Sequence, residues 1–197
     1  MVEKVLVADS RGAQADDAAL IERSRGGESA AFGELVTRYQ DRLFNTLVRV
    51  CGDVEEARDV AQEAFVKLES FQGKSAFYTW LYRIAFNTAI SHRRRRKPTA
   101  SLDEARDAAG VEPADPDARP EANLERAEQA AQVQAALATL SDEHRTVLVL
   151  REIDGRDYET IAQMLDVPVG TIRSRLHRAR LQLKEEMGKR MKDEYLL

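Results

Sequence analysis

Apolar residues recur at helical spacing along most of this chain, and the period-two alternation of a half-buried strand is absent. Asp16 and Asp17 suit the first turn of a short helix that stops at Gly26-Gly27. A longer helix is expected over Glu28–Val50, with Phe32, Leu35, Val36, Tyr39, Leu43, Leu47 and Val50 on its apolar side. Gly52-Asp53 separates it from a helix over Val54–Ser70 whose inward residues are Ala57, Ala61, Ala64, Phe65 and Leu68. After a loop at Phe71–Ser75, the stripe Phe77, Trp80, Leu81, Ile84, Ala85 and Thr88 predicts a helix over Ala76–Arg96, with Tyr78, Tyr82, Arg83 and Asn87 partly off it.

Pro98 ends that helix, and four of the five prolines fall between Pro98 and Pro120. Helical periodicity returns over Glu121–Leu140, then over Asp142–Ile153 with Ser141 as its cap and Gly155 as its stop. In DYETIAQMLDVPVGTIRSRLHRARLQL, Asp157 is placed to cap a helix carrying Ile161, Ala162 and Leu165, and Asp166-Val167-Pro168 breaks it. A second helix follows, with Ile172, Leu176, Ala179 and Leu183 on one side and Arg173, Ser174, His177 and Arg178 on the other. A buried stripe opposite a basic, hydrogen-bonding face is what a recognition helix in a major groove needs. The pattern predicts an all-α chain: a frayed segment at 1–15, a helical bundle at 16–97, a flexible acidic linker at 98–122 and a helix-turn-helix domain at 123–192.

The formal charge is −4, so a nucleic-acid reading must rest on how charge is distributed. His92–Lys97 and Arg173–Arg180 are basic, whereas Ser101–Glu121 holds seven acidic residues against Arg106 and Arg119. Cys51 is the single cysteine, which excludes an intramolecular disulfide and a zinc-thiolate cluster. No apolar run approaches the ~20 residues of a membrane span, so a cytoplasmic protein without direct membrane association is expected. The three histidines are scattered and there is no glycine-rich phosphate loop or nucleophile motif.

Three segments in order resemble the bacterial sigma factors of the extracytoplasmic-function (ECF) group of the sigma-70 family. Phe32–Val50 and Asp53–Leu68 look like the family's polymerase-binding helices, Ala76–Asn87 like its promoter-melting segment, and Pro168–Arg178 like its recognition helix. The resemblance implies a non-catalytic specificity subunit that needs no cofactor or metal. Its partners would be core RNA polymerase, promoter DNA and, as a further candidate, an anti-sigma factor.

Residue by residue, the resemblance assigns Asp53, Glu56, Asp59, Gln62 and Glu63 to polymerase docking; Asp59, Gln62 and Glu63 also share one helix face by their spacing. It assigns Lys67, Phe71, Lys74, Ser75, Tyr78, Trp80, Arg83, Asn87, Arg93 and Arg94 to the minus-ten element, where a loop at Phe71–Ala76 cups an extruded base. An unpaired base offers a π-face for stacking and a free edge for hydrogen bonds. Thr171, Arg173, Ser174, Arg175, His177 and Arg178 would read the minus-thirty-five element as duplex. The acidic linker would run near the RNA exit path, imitating nucleic-acid charge.

Two other classes compete. A free-standing helix-turn-helix repressor would need neither the Asp59/Gln62/Glu63 face nor the aromatic helix. A metal-dependent nuclease would have to use Glu55, Glu56, Asp59 and Glu63, and four carboxylates on a solvated helix do not make an active site.

Overall fold

The computed structural model describes residues 16–96 and 131–194, all helices and connecting turns. Helix α1 covers 16–25 and packs on α2, Ser29–Cys51. Asp17 of α1 is buried, held by Arg38 at 2.8 Å and by the Tyr39 hydroxyl. This buried carboxylate fixes the angle at which α1 meets the bundle. α2 ends at Gly52, whose left-handed φ of 73° lets its N–H reach back to Val48 O at 2.8 Å. Asp53 then caps α3, Val54–Val66, by accepting from Glu56 N at 2.7 Å.

The helix expected over Val54–Ser70 tightens into a 3₁₀ turn at Lys67–Ser70. This turn delivers Phe71 inward, where its ring meets Phe77 and Trp80 at 5.5 and 5.2 Å. α4, Phe77–Arg96, closes the first lobe around Leu35, Leu43, Leu47, Val60, Ala64, Leu81 and Ala85, all of them fully buried.

The second lobe begins, within the described residues, with α5 at 131–138; the rest of the helix expected from Glu121, and the linker at 98–122, lie outside them. Ser141 caps α6, Asp142–Leu148, as expected. The continuation to Ile153 is a π-helical turn, Val149–Ile153, rather than α-helix. Gly155 follows in the left-handed region at φ 67°, where only glycine sits without strain. Asp157 caps α7, Tyr158–Leu165, with its carboxylate 2.6 Å from Thr160 N. Asp166, left-handed at φ 54°, and Val167-Pro168 make the turn into α8, Val169–Glu194.

The two lobes touch. α2 packs on α6 and on the π turn, and α4 packs on α7. Tyr82, expected partly off the buried stripe of α4, is fully buried, with its hydroxyl 3.2 Å from that of Thr46. The correction has a simple cause: Thr46 is itself bonded to Asp154 of the second lobe at 2.8 Å, which covers a side of α4 that the first lobe leaves open.

Cys51 lies under this junction, and burial pushes its thiol pKa up to about 12. Native protein at pH 8 is therefore expected to react with a disulfide reagent many times more slowly than urea-unfolded protein. A colorimetric time course in both states checks this.

Candidate nucleic-acid and protein interfaces

The helix-turn-helix stands on a small core. Ile161 and Met164 of α7 meet Ile172, Leu176 and Ala179 of α8, each at most about one per cent exposed. With that stripe buried, Arg173, Ser174, His177 and Arg178 are exposed on the opposite face, as their spacing predicts. Arg173 and Arg178 make no ion pair among the described residues, so their planar forks are available for a guanine edge or a phosphate. The Ser174 hydroxyl donates to Thr171 O at 2.9 Å and can still accept. Thr171 is half-buried.

Arg175, at a position from which a nearby carboxylate is also within reach, takes that alternative. It turns toward α6 and pairs with Glu143 at 2.9 Å, so in this structure it ties the recognition helix to its scaffold. Arg180 is held in the same way by Glu152 at 2.6 Å.

On α3, Asp59, Gln62 and Glu63 are exposed together. Glu63 meets His92 Nε2 of α4 at 3.0 Å, which steadies that side of the face. Asp53 is half-buried and occupied as a helix cap. Glu56 is 6% exposed, which corrects the expectation that its carboxylate faces a partner. Spacing does not reveal this, because Glu56 lies next to the apolar stripe and is buried near Cys51 of α2 and Arg145 of the second lobe.

Beside Gln62 lies an open groove of about 590 Å³ between α2 and α3, lined by Phe32, Val36, Phe44, Phe65 and Val66. Val66 is 72% exposed and Phe32 and Phe44 are half-buried. Phe32 and Val36 pack against the core as their spacing predicts, yet their outer edges also line this apolar surface, which the spacing does not reveal. Its one signal was an apolar stripe on α2 wider than a single partner helix needs.

The third group runs from the end of α3 through the following loop into α4. Lys67, Lys74 and Asn87 are exposed, and Ser75, Tyr78 and Arg83 half-buried. Lys67 Nζ lies 3.4 Å from Thr88 Oγ1, leaving its charge open. Phe71 and Trp80 are core residues, 6% and 5% exposed; Trp80 lies inward as its place on the apolar stripe predicts, whereas the burial of Phe71 corrects the expectation that its ring faces DNA. Their tilted ring contact, 5.2 Å between centres, anchors the start of the loop on α4 instead. Tyr78 is covered by the Arg156 guanidinium of the second lobe, 4.1 Å from its ring centre. Arg93 is paired with Asp142 and also donates to Cys51 O. The side chain of Arg94 lies outside the described residues. No cluster of three potential metal ligands occurs among the described residues, and no described helix is long and apolar enough to cross a membrane.

A helical bundle with an exposed acidic-polar face, followed by a helix-turn-helix with open arginines, defines a nucleic-acid-binding protein class. Known proteins narrow it. The family described as Sigma-70 region 2 matches residues 35–99, and Sigma-70, region 4, matches 130–183. The chain is 45% identical over 176 residues to the RNA polymerase sigma-H factor of Pseudomonas aeruginosa, covering 85% of this chain and 91% of that one. It is 42% identical over 179 residues to the ECF RNA polymerase sigma-E factor of Escherichia coli, covering 85% and 92%. A solved structure described as CnrH in complex with the cytosolic domain of CnrY aligns at TM-score 0.61 and 26% identity, over 88% of this chain and 98% of that one. The chain belongs to the ECF group of the sigma-70 family, the non-catalytic subunits that bind core RNA polymerase and promoter DNA in transcription initiation.

The local energetics of the reading helix can be tested directly. Asp157→Ala removes the α7 cap and should cost about 1 kcal/mol, while Leu176→Ala opens a core cavity and should cost about 2–5 kcal/mol. Urea unfolding followed by circular dichroism measures both, and an equal effect of the two would contradict the packing described.

Proposed function

We propose that this sigma factor directs initiation by dividing promoter recognition between its lobes. The first reads and helps to open the minus-ten element; the second reads the minus-thirty-five element as intact duplex. The observation that carries this reading is the coexistence of three separate exposed sets on one helical frame. Asp59, Gln62 and Glu63 lie on α3; Lys67 and Lys74 lie between α3 and α4, with Asn87 on α4; and Arg173, Ser174, His177 and Arg178 lie on α8.

Each set suits its target chemically. The α3 face joins carboxylates and an amide to the apolar groove beside Gln62, fitting a protein helix with basic flanks and an apolar ridge. The lysines around the loop neutralise phosphates, while Tyr78 and Asn87 offer a ring and an amide to an unpaired base. Arg173 and Arg178 each suit the O6/N7 edge of guanine, worth about 1–3 kcal/mol of discrimination per bidentate pair. The domain limits at 16–97 and 123–192 and the linker at 98–122 belong to the same reading. So does action in the cytoplasm, where polymerase works.

Control by an anti-sigma factor is part of the proposal. CnrH, which this chain resembles, was solved with the cytosolic domain of CnrY. The same α2–α3 groove offers the apolar surface that such an inhibitor would cover. A repressor reading is disfavoured because it leaves the α3 face without a use.

Two measurements test the assignment. Asp59→Ala with Gln62→Ala should reduce co-purification with core polymerase while helicity is retained; capture at the wild-type level would remove α3 from the interface. Arg173→Ala should lower run-off transcription and relax base preference at one or two upstream positions in a promoter pool. Unchanged preference would mean that Arg173 does not read bases.

A further inference from the structure

Asp17, in the first turn of α1, is only 4% exposed. A buried carboxylate carries a desolvation cost that an apolar residue at the same place would not. Apolar docking of α1 is already supplied by Leu20 and Ile21, 4% and 3% exposed. What the carboxylate adds is direction. One of its oxygens accepts from Arg38 Nη1 at 2.8 Å and the other from the Tyr39 hydroxyl. Burial and the carboxylate both raise the Tyr39 pKa, so that hydroxyl stays a donor at neutral pH.

The Tyr39 ring leads from this bond to the loop before α4. It meets Phe77 edge-on at 5.4 Å between centres and lies 6.0 Å from the Tyr78 ring. Phe77, 2% exposed, packs edge-on against Phe71 at 5.5 Å and stacks on Trp80 at 5.7 Å. Phe71 and Phe77 flank the loop, so one aromatic cluster holds both of its ends. Ring pairs of this kind favour edge-on or offset geometry, and the angle of Tyr39 therefore constrains Phe77.

We infer that Asp17 and Tyr39 are positioning residues for base capture: the α1 carboxylate fixes the Tyr39 ring, and that ring holds Phe77, Tyr78 and the loop before them in the shape an extruded base requires. This rests on the minus-ten assignment made above. Both residues act through the rings of α4 rather than on the base itself. A loop ordered before the base arrives avoids the entropic cost of ordering it during capture.

The test uses the full chain with core polymerase on a promoter recovered from the pool above, carrying 2-aminopurine at each minus-ten position of the non-template strand in turn. The position whose fluorescence rises on binding marks the extruded base. Tyr39→Phe removes only the hydroxyl, and Asp17→Asn leaves Arg38 its other partner, Glu34 at 3.2 Å. Each should slow the rise about tenfold, in line with one hydrogen bond to a charged group, while core-polymerase capture stays at the wild-type level. The double variant should be no slower than either single one, because the two residues share one path. Val60→Ala opens a cavity in the core of α3, controls for lost stability and should leave the rate unchanged. Wild-type rates in both single variants, additive slowing in the double variant, or equal slowing by Val60→Ala would each overturn the inference. If circular dichroism shows Asp17→Asn to be unfolded, Tyr39→Phe decides alone against the same control. Should no position brighten with the unaltered chain, the minus-ten reading falls and this inference with it. A rise that the variants do not slow refutes the positioning role alone.

Discussion

Arg145 is the buried group on which the arrangement of the lobes depends. It is 4% exposed, and its guanidinium donates to Leu137 O, Ala138 O and Leu140 O at 2.8, 2.9 and 3.2 Å and to Val50 O at 2.9 Å. The first three carbonyls lie around the end of α5, and the fourth belongs to the last turn of α2 in the other lobe. Two helix C-termini, each with unsatisfied carbonyls and partial negative charge, converge on one planar cation. Burial pulls the Arg145 pKa down to about 10, still well above neutrality, so the charge persists. A lysine could not replace it, because a compact ammonium cannot span carbonyls spread around a plane.

The neighbouring contacts inherit their geometry from this anchor. With α6 held against the end of α2, Asp142 reaches Arg93, and the π turn brings Asp154 to Thr46 and Arg42. Burial raises the pKa of the Asp154 carboxyl, partly offset by the Thr46 hydroxyl and the surrounding arginines. These polar joints lie beside one apolar core cluster that runs through both lobes.

Much of the fold was legible along the chain because each signal was local. Glycine at 52 and 155, serine at 141 and aspartate at 157 occupy the stops and caps their chemistry suggests, each needing only neighbours within a few residues. The exposed row Arg173, Ser174, His177 and Arg178 was readable for the same reason: its buried counterpart Ile172, Leu176 and Ala179 has unbroken helical spacing. Glu56 and Phe71 were not, since their surroundings come from segments distant in sequence. A charged residue beside an apolar stripe can be covered or open, and an arginine on a basic face can turn to a carboxylate on another helix.

What the sequence determined by itself is the set of helices, their caps and the identity of the residues offered to solvent on α3 and α8, because 3.6-residue periodicity and capping chemistry act within one element. Only the tertiary structure decided that Tyr82 is interior, that Arg93 and Arg175 are engaged by Asp142 and Glu143, and that the second lobe lies across the face of the first. The physical reason is that burial and ion pairing are properties of two surfaces at once. No periodicity within one helix records which surface another helix will bring to it.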